Sequence, residues 1–471
     1  MNEVPIAAIG RDRIEAAVGS ERMRKLEEHA ESARRLFNGR VIWNINSTAR
    51  GGGVAEMLQP LIGYARGLGV DVRWVVVEGD PEFFAVTKRI HNHLHGHPGD
   101  GGPLGDHERN RYEDTLSRNM QELAGVIRPG DIAVCHDPQT AGLIPELKKK
   151  DVLTVWRCHV GHDHPNEYVH RTWDFLLPYV SQADRYVFTR KTFIPKQLDN
   201  GNAVIVPPSI DPLSPKNQPM KPEVARSILT FTGLLEGRDL EADPVFERED
   251  GSKSRVVHCA DVIHLGRAPA PERRMVVQVS RWDRLKDPIG VLEGFADYLA
   301  RDSASLVLAG PNVSAVADDP EGGAMLDQVF VAWRELPHEV RKHIHIVCLP
   351  MTDREENAAI VNALQRHATV IVQKSLFEGF GLTVTEAMWK GRPVIASAVG
   401  GIQDQIVDGE HGLLVKDPAD LHEFAHLVQR LLDDDDLARK LGENARARVE
   451  EQFLFTRHLF QYFELLRDML S

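Results

Sequence analysis

Cysteine is scarce. The 471 residues hold four, Cys135, Cys158, Cys259 and Cys348, with no CxxC spacing. That excludes a disulfide framework and a zinc ribbon, and it predicts reduced, mostly buried thiols in a cytoplasmic protein. Long hydrophobic runs are missing too. No apolar stretch approaches the roughly 18 residues of a membrane span. Met1–Arg13 carries Glu3, Arg11 and Asp12 and lacks the apolar core of a secretory signal. An excess of basic charge is also lacking: 56 Lys and Arg against 69 Asp and Glu leave −13 at pH 7. Such a surface repels a polyanion, so neither nucleic acid nor membrane is an expected partner, although local basic residues can still hold a small phosphate. What is present is ordinary globular composition, 42% hydrophobic and 27% charged, which excludes disorder and low complexity. The length is about three times that of one domain, so two or three are expected; a homodimer is compatible with this composition.

Along the chain the first forty residues read as amphipathic helices, with Ile14, Val18 and Leu26 among Glu and Arg. Val41–Ile45 then reads as a strand, Asn46–Gly53 as a glycine-bearing loop, Val54–Leu68 as a helix and Val70–Val77 as a strand. Strand, loop, helix, strand is the unit that builds parallel sheets. It recurs at Ile132–Cys135, Thr154–Trp156, Arg185–Phe188 and Ala203–Val206. Pro207–Asn217, with four prolines, reads as a linker. Residues 234–272 are acidic and carry no clear period, which suggests an insertion or hairpin. A second series follows at Met275–Val279, Ser305–Ala309, His343–Cys348, Thr369–Val372 and Pro393–Ala396. The fold class is therefore α/β, two doubly wound Rossmann-like domains facing a cleft. The expected division is 1–215, 216–450, and a C-terminal helix over 451–471 that packs back on the N-terminal domain. Ligands in such sheets collect at the carboxyl ends of the strands.

The densest chemical signal is Glu378-Gly379-Phe380-Gly381-Leu382-Thr383-Val384-Thr385-Glu386, after a strand and opening a helix. Glycines let backbone approach a ligand, and a helix start offers free N–H groups that suit a diphosphate. Two carboxylates eight residues apart can address different parts of one extended ligand. The plain alternative is a strand-to-helix turn with two solvated glutamates. Arg281 and Lys286 lie on the loop after Met275–Val279, where a phosphate needs neutralising charge; a solvated basic loop is the plain alternative there. His91, His93, His95 and His97 alternate, which on a strand would put them on one face, but Gly96-His97-Pro98-Gly99 is loop chemistry and no nearby carboxylate completes a metal site; they read as loop histidines, solvated or facing a sugar, and no metal is assigned. No GxGxxG lies between a strand and a helix, which argues against a nicotinamide dehydrogenase.

Together these segments resemble the two-domain retaining glycosyltransferases of family 4, whose architecture is called GT-B. The Arg281/Lys286 pair, the Glu378/Glu386 pair, the Gly51-Gly52-Gly53 loop, Gly391-Arg392-Pro393, Gly400-Gly401 and Asp408–Val415 match that family's pattern over about 41–471. In the first domain Asn46–Leu58, His91–Gly96, His136-Asp137-Pro138-Gln139 and Trp156-Arg157-Cys158-His159 are similar to the trehalose-forming members. Gly161–His164 does not align with them, and 234–262 is inserted. The resemblance implies transfer of glucose, reversibly and with retention, from a nucleoside-diphosphate glucose to free glucose. It implies a donor site of Gly52, Gly53, Arg281, Lys286, Glu378, Gly379, Phe380, Gly381, Leu382, Thr383 and Glu386. It further implies acceptor contacts at Asp137 and His159, and catalytic work by Glu378, His159, Arg281 and Lys286. Nucleoside-diphosphate glucose (UDP- or ADP-glucose) and sugars are then the small-molecule partners. No tightly bound cofactor is expected, and Mg2+ is possible but required by no motif. A retaining trehalose phosphorylase, using inorganic phosphate, shares this scaffold and stays open; a sugar-nucleotide isomerase and a non-enzymatic sensor are weaker rivals.

Overall fold

A computed structural model describes residues 1–49, 53–299, 304–313 and 320–470. The chain divides into two compact units, Met1–Ser209 with Phe455–Ser471, and Ile210–Leu454. The boundaries thus fall at Ser209 and Leu454 rather than at 215 and 450.

In the first unit the strands are β1 (Asn2–Glu3), β2 (Ile42–Asn46), β3 (Val72–Val76), β4 (Ile132–His136), β5 (Leu153–Cys158), β6 (Arg185–Phe188) and β7 (Ala203–Ile205). They lie in the order β1-β3-β2-β4-β5-β6-β7. Every neighbour is parallel except the edge strand β1, which runs antiparallel to β3. β2 and β4 are buried at every position because both faces are covered. Trp43, Ile45, Cys135, Trp156 and Cys158 enter one apolar cluster. Ile42, Val134 and Val155 enter another, with Ala33, Leu58, Leu465 and Leu466 from the helices Ser20–Leu36, Gly53–Gly67 and Phe455–Leu470. Tyr64 stacks on Phe455 with centroids 3.6 Å apart, so the last helix is built into this unit.

The alternating histidines belong largely to a helix rather than to a loop. His91 and His93 lie on the helix Pro81–Leu94, and His95 caps its end. Phe83, Val86, Thr87, Ile90 and Leu94 are buried at helical spacing, and Asp80 accepts a hydrogen bond from the Phe83 N–H at 3.0 Å. That apolar period, together with Pro81 at the first turn, outweighs the two-residue period of the histidines.

The second unit carries β8 (Val245–Glu247), β9 (Lys253–Arg255), β10 (Asp261–Ile263), β11 (Met275–Val279), β12 (Ser305–Pro311), β13 (Ile344–Leu349), β14 (Val370–Gln373), β15 (Val394–Ser397) and β16 (Leu413–Val415). Its main sheet has the order β10-β13-β12-β11-β14-β15-β16, parallel but for β10. The obscure stretch at 234–272 resolves into the β8–β9 hairpin and the edge strand β10. In each sheet the winding reverses once, between β2 and β4 and between β11 and β14. Loops at a reversal diverge to opposite faces and leave a crevice, so these two points are where ligands belong.

Candidate active site

At the reversal of the second sheet, the loop after β11 carries Arg281 and Lys286, and the loop after β14 carries Glu378. Backbone ties hold the loops together: the Leu376 N–H donates to Leu285 O at 2.8 Å, and Gln278 Nε2 donates to Lys286 O at 2.7 Å. Lys286 Nζ forms an ion pair with Glu378 Oε2, which also accepts from Ser375 Oγ at 3.3 Å. Both charged groups are mostly buried, 17% and 12% exposed, so their attraction is only partly screened. Arg281 is not drawn into this pair. It stays 67% exposed and meets Asp283 Oδ2 at 3.2 Å.

Gly381, in the left-handed region at φ 87°, opens the helix Leu382–Trp389 without a side-chain cap. The first N–H groups of that helix, from Leu382 and Thr383, are therefore left to a ligand. Phe380 packs into the apolar core. Gly400 (φ 49°) lies so close beneath that a Cβ there would sit 1.6 Å from Glu378 O. Gln405 Nε2 donates to Phe380 O, and Gln405 Oε1 accepts from Thr385 Oγ1 at 2.6 Å, tying turn to helix. Glu386, one turn into the helix, is 5% exposed; Oε1 lies 3.4 Å from Lys216 Nζ, while Oε2 is buried without a partner.

At the reversal of the first sheet the geometry centres on Asp137, just past β4. Its backbone takes φ 61°, a left-handed conformation costly for a side-chain-bearing residue, fixed by its N–H donating to Arg157 O at 2.7 Å. Oδ1 accepts the His159 backbone N–H at 2.7 Å. Burial pushes this carboxyl up to about 7, opposed in part by that N–H. His159 Nε2 lies 3.1 Å from His136 Nδ1, and Arg157 Nε donates to His159 Nδ1 at 3.5 Å. His136 Nε2 lies 3.0 Å from Asn44 Oδ1. Burial holds both imidazoles below their usual range, His136 at about 3. Gly52 lies outside the described residues, and Gly53 begins the helix Gly53–Gly67.

The family described as "Trehalose synthase, N-terminal domain" matches residues 44–195, and that described as "Glycosyl transferases group 1" matches 266–448. A trehalose synthase of Pyrococcus horikoshii is 35% identical, covering 100% of this chain and 99% of the relative. The chain belongs to the trehalose synthase family of glycosyltransferases. A trehalose phosphorylase of Pleurotus pulmonarius is 27% identical over 86% of this chain and 54% of the relative. Among solved structures, a UDP-forming α,α-trehalose-phosphate synthase of Burkholderia xenovorans matches with a TM-score of 0.64 at 16% identity, covering 92% of this chain and 99% of that one. That likeness is one of fold, and it gives this chain the GT-B architecture of two Rossmann-like units.

Of the residues the sequence singled out, the structure joins Lys286 with Glu378, and Asp137 with His159, while leaving Arg281 in solvent. Sequence reasoning missed the supports beneath them. Lys374 is 1% exposed; it pairs with Asp287 and donates to Pro418 O at 2.6 Å. Asp287, in the left-handed region at φ 49°, in turn caps the helix Pro288–Tyr298 through the Gly290 N–H. Asn44, His136 and Gln405 were missed as well. A polar residue among apolar neighbours, as at Asn44 and His136, marked each as unusual but did not show its partner. Among the described residues no three His, Cys, Asp or Glu side chains are grouped to hold a metal, and no helix is long and apolar enough to cross a membrane. All four cysteines are free.

Proposed function

We propose that this chain is a cytoplasmic retaining glucosyltransferase that moves glucose, reversibly, from a nucleoside-diphosphate glucose to free glucose, forming trehalose. One observation carries the donor reading. An uncapped helix start at Leu382 is flanked by two carboxylates: Glu378, beside Lys286, and Glu386, whose inner oxygen is buried and unpartnered. A nucleoside diphosphate sugar has matching parts in that order. Its diphosphate suits the helix start, Lys286 and Arg281, its glucose hydroxyls suit Glu378, and its ribose hydroxyls suit the carboxylate of Glu386. Full-length similarity to trehalose synthases supports glucose as the acceptor.

In this reading the bond from the anomeric carbon to the diphosphate oxygen breaks, and one to the acceptor oxygen forms on the same face. The acceptor's proton passes to the departing diphosphate oxygen, so no side chain acts as covalent nucleophile. Lys286, Arg281 and the amides at Leu382 and Thr383 stabilise the charge growing on the leaving group. Asp137 accepts from an acceptor hydroxyl, and His159 holds Asp137 for that task. No side chain described here calls for a metal, and Mg2+ has no assigned role.

Similarity to a trehalose phosphorylase of Pleurotus pulmonarius supports a second reading, in which inorganic phosphate replaces the nucleotide. Incubating the protein with trehalose and either phosphate or a nucleoside diphosphate separates the two. Glucose release that needs the nucleoside diphosphate supports the transferase, and release that needs phosphate alone supports the phosphorylase.

A further inference from the structure

Polar side chains from the middle of β2, the carboxyl end of β4 and the end of β5 with the residue after it form one line, and its direction can be read from a single fixed donor. Arg157 Nε carries a hydrogen and can only donate, so His159 Nδ1, at 3.5 Å, accepts. A neutral imidazole with an accepting Nδ1 carries its proton on Nε2, and His159 Nε2 therefore donates to His136 Nδ1 at 3.1 Å. His136 is then also the Nε2–H form, and it donates to Asn44 Oδ1 at 3.0 Å. Every link follows from the first, and a proton added to either ring would set two N–H groups against each other. Strand register supplies the spacing, since His136 pairs with Arg157 across β4 and β5 while Asn44 lies on β2 beside β4.

Two further facts bear on why the line exists. Arg157 is fully buried, and its two terminal nitrogens find no partner. Such a cation is costly, and a fold keeps one where position matters more than stability. Both ring nitrogens of His159 are spent inside the unit, so the group it turns toward Asp137 is its backbone N–H, at 2.7 Å.

We propose that Asn44 and Arg157 are positioning residues that hold His159 as the neutral Nε2–H tautomer, and that His159 so held is a strut that aims Asp137 at the acceptor. The second half rests on the glucosyltransferase reading; the first does not. The ring is faced by Arg157 and His136 from the sheet and by His458 from the C-terminal helix, each of which disfavours its protonated form.

The test has two arms. Nitrogen-15 spectra of histidine-labelled, unliganded protein at pH 7 should show His136 and His159 both neutral with the proton on Nε2. A charged ring, or the Nδ1–H form at His159, overturns the proposal whatever the protein's activity. Asn44→Leu removes the terminal acceptor. Asn44→Leu should lower kcat for transfer to glucose at least tenfold with the donor KM unchanged. Equal kcat in wild type and Asn44→Leu overturns the proposal. Should no acceptor sugar react with the wild type, the function reading fails while the tautomer result still decides the line of bonds.

Discussion

Lys286 and Glu378 hold one another, so a diphosphate entering the site competes with a carboxylate for the same ammonium group. Lys286→Ala should lower turnover by roughly 30- to 1000-fold, about 2–4 kcal/mol of barrier, with an unchanged melting temperature. Arg281→Ala, at an exposed position, should act the same way if the loop brings it onto the donor; wild-type rates in both variants would remove the diphosphate role. Gly400→Ala forces a Cβ against Glu378 O in a left-handed conformation. The backbone alone costs about 1–2 kcal/mol, and the turn must shift as well. Both a lower melting temperature and a raised donor KM are expected, and an unchanged donor KM would show that the turn does not shape the donor site. Asp137 has its carboxyl raised to about 7 by burial. In the proposed reaction it accepts, as a carboxylate, from the sugar acceptor, so transfer should climb as pH rises through about 7, and Asp137→Asn should flatten that limb. A limb that survives in Asp137→Asn belongs to another group.

Among elements, the C-terminal helix Phe455–Leu470 was legible from Leu459, Phe463, Leu466 and Leu470 alone, since helical spacing of large apolar residues leaves a face to bury. The strands β2, β4, β11 and β14 were legible for a similar reason, as short apolar runs bounded by loops. The motif loops were legible because glycine and charge stand out beside such runs. Asn44, His136 and Arg157 were not. Their meaning lies in pairing between strands distant in sequence, and no local pattern records register. Lys374 and Gln405 were hidden likewise, acting on loops reached only through the fold. The last helix buries Phe455, Leu465 and Leu466, each worth roughly 1.5–3 kcal/mol, and Arg457 donates to Pro207 O and Pro208 O at 2.8 and 2.9 Å. Removing 455–471 should therefore abolish slow hydrogen exchange in β2, β3 and β4 while sparing β11–β15. Protection kept in β2–β4 would contradict the packing account.

For the whole molecule, acid should weaken both units, since burial holds His345 of the second at about 3 as it does His136 of the first. His136, His159 and His458 are each held neutral by burial, with folded pKa values below the ordinary 6.5. Below 6.5 the unfolded chain binds more protons than the folded one, so this contribution to stability is whole above 6.5 and is lost as pH falls toward the folded values, about 3 for His136. Melting followed at Trp43, Trp74 and Trp156 should drop between pH 6.5 and 4, and an unchanged transition would mean that the rings are not buried neutral. The central claim, that Lys286, Glu378 and Glu386 grip a nucleotide sugar for transfer to glucose, is tested most directly by product. The protein is incubated with glucose and, in turn, several nucleoside-diphosphate glucoses. The account predicts a non-reducing disaccharide with an equal amount of nucleoside diphosphate released; nucleotide release without disaccharide, or disaccharide formed only from glucose 1-phosphate, would contradict it.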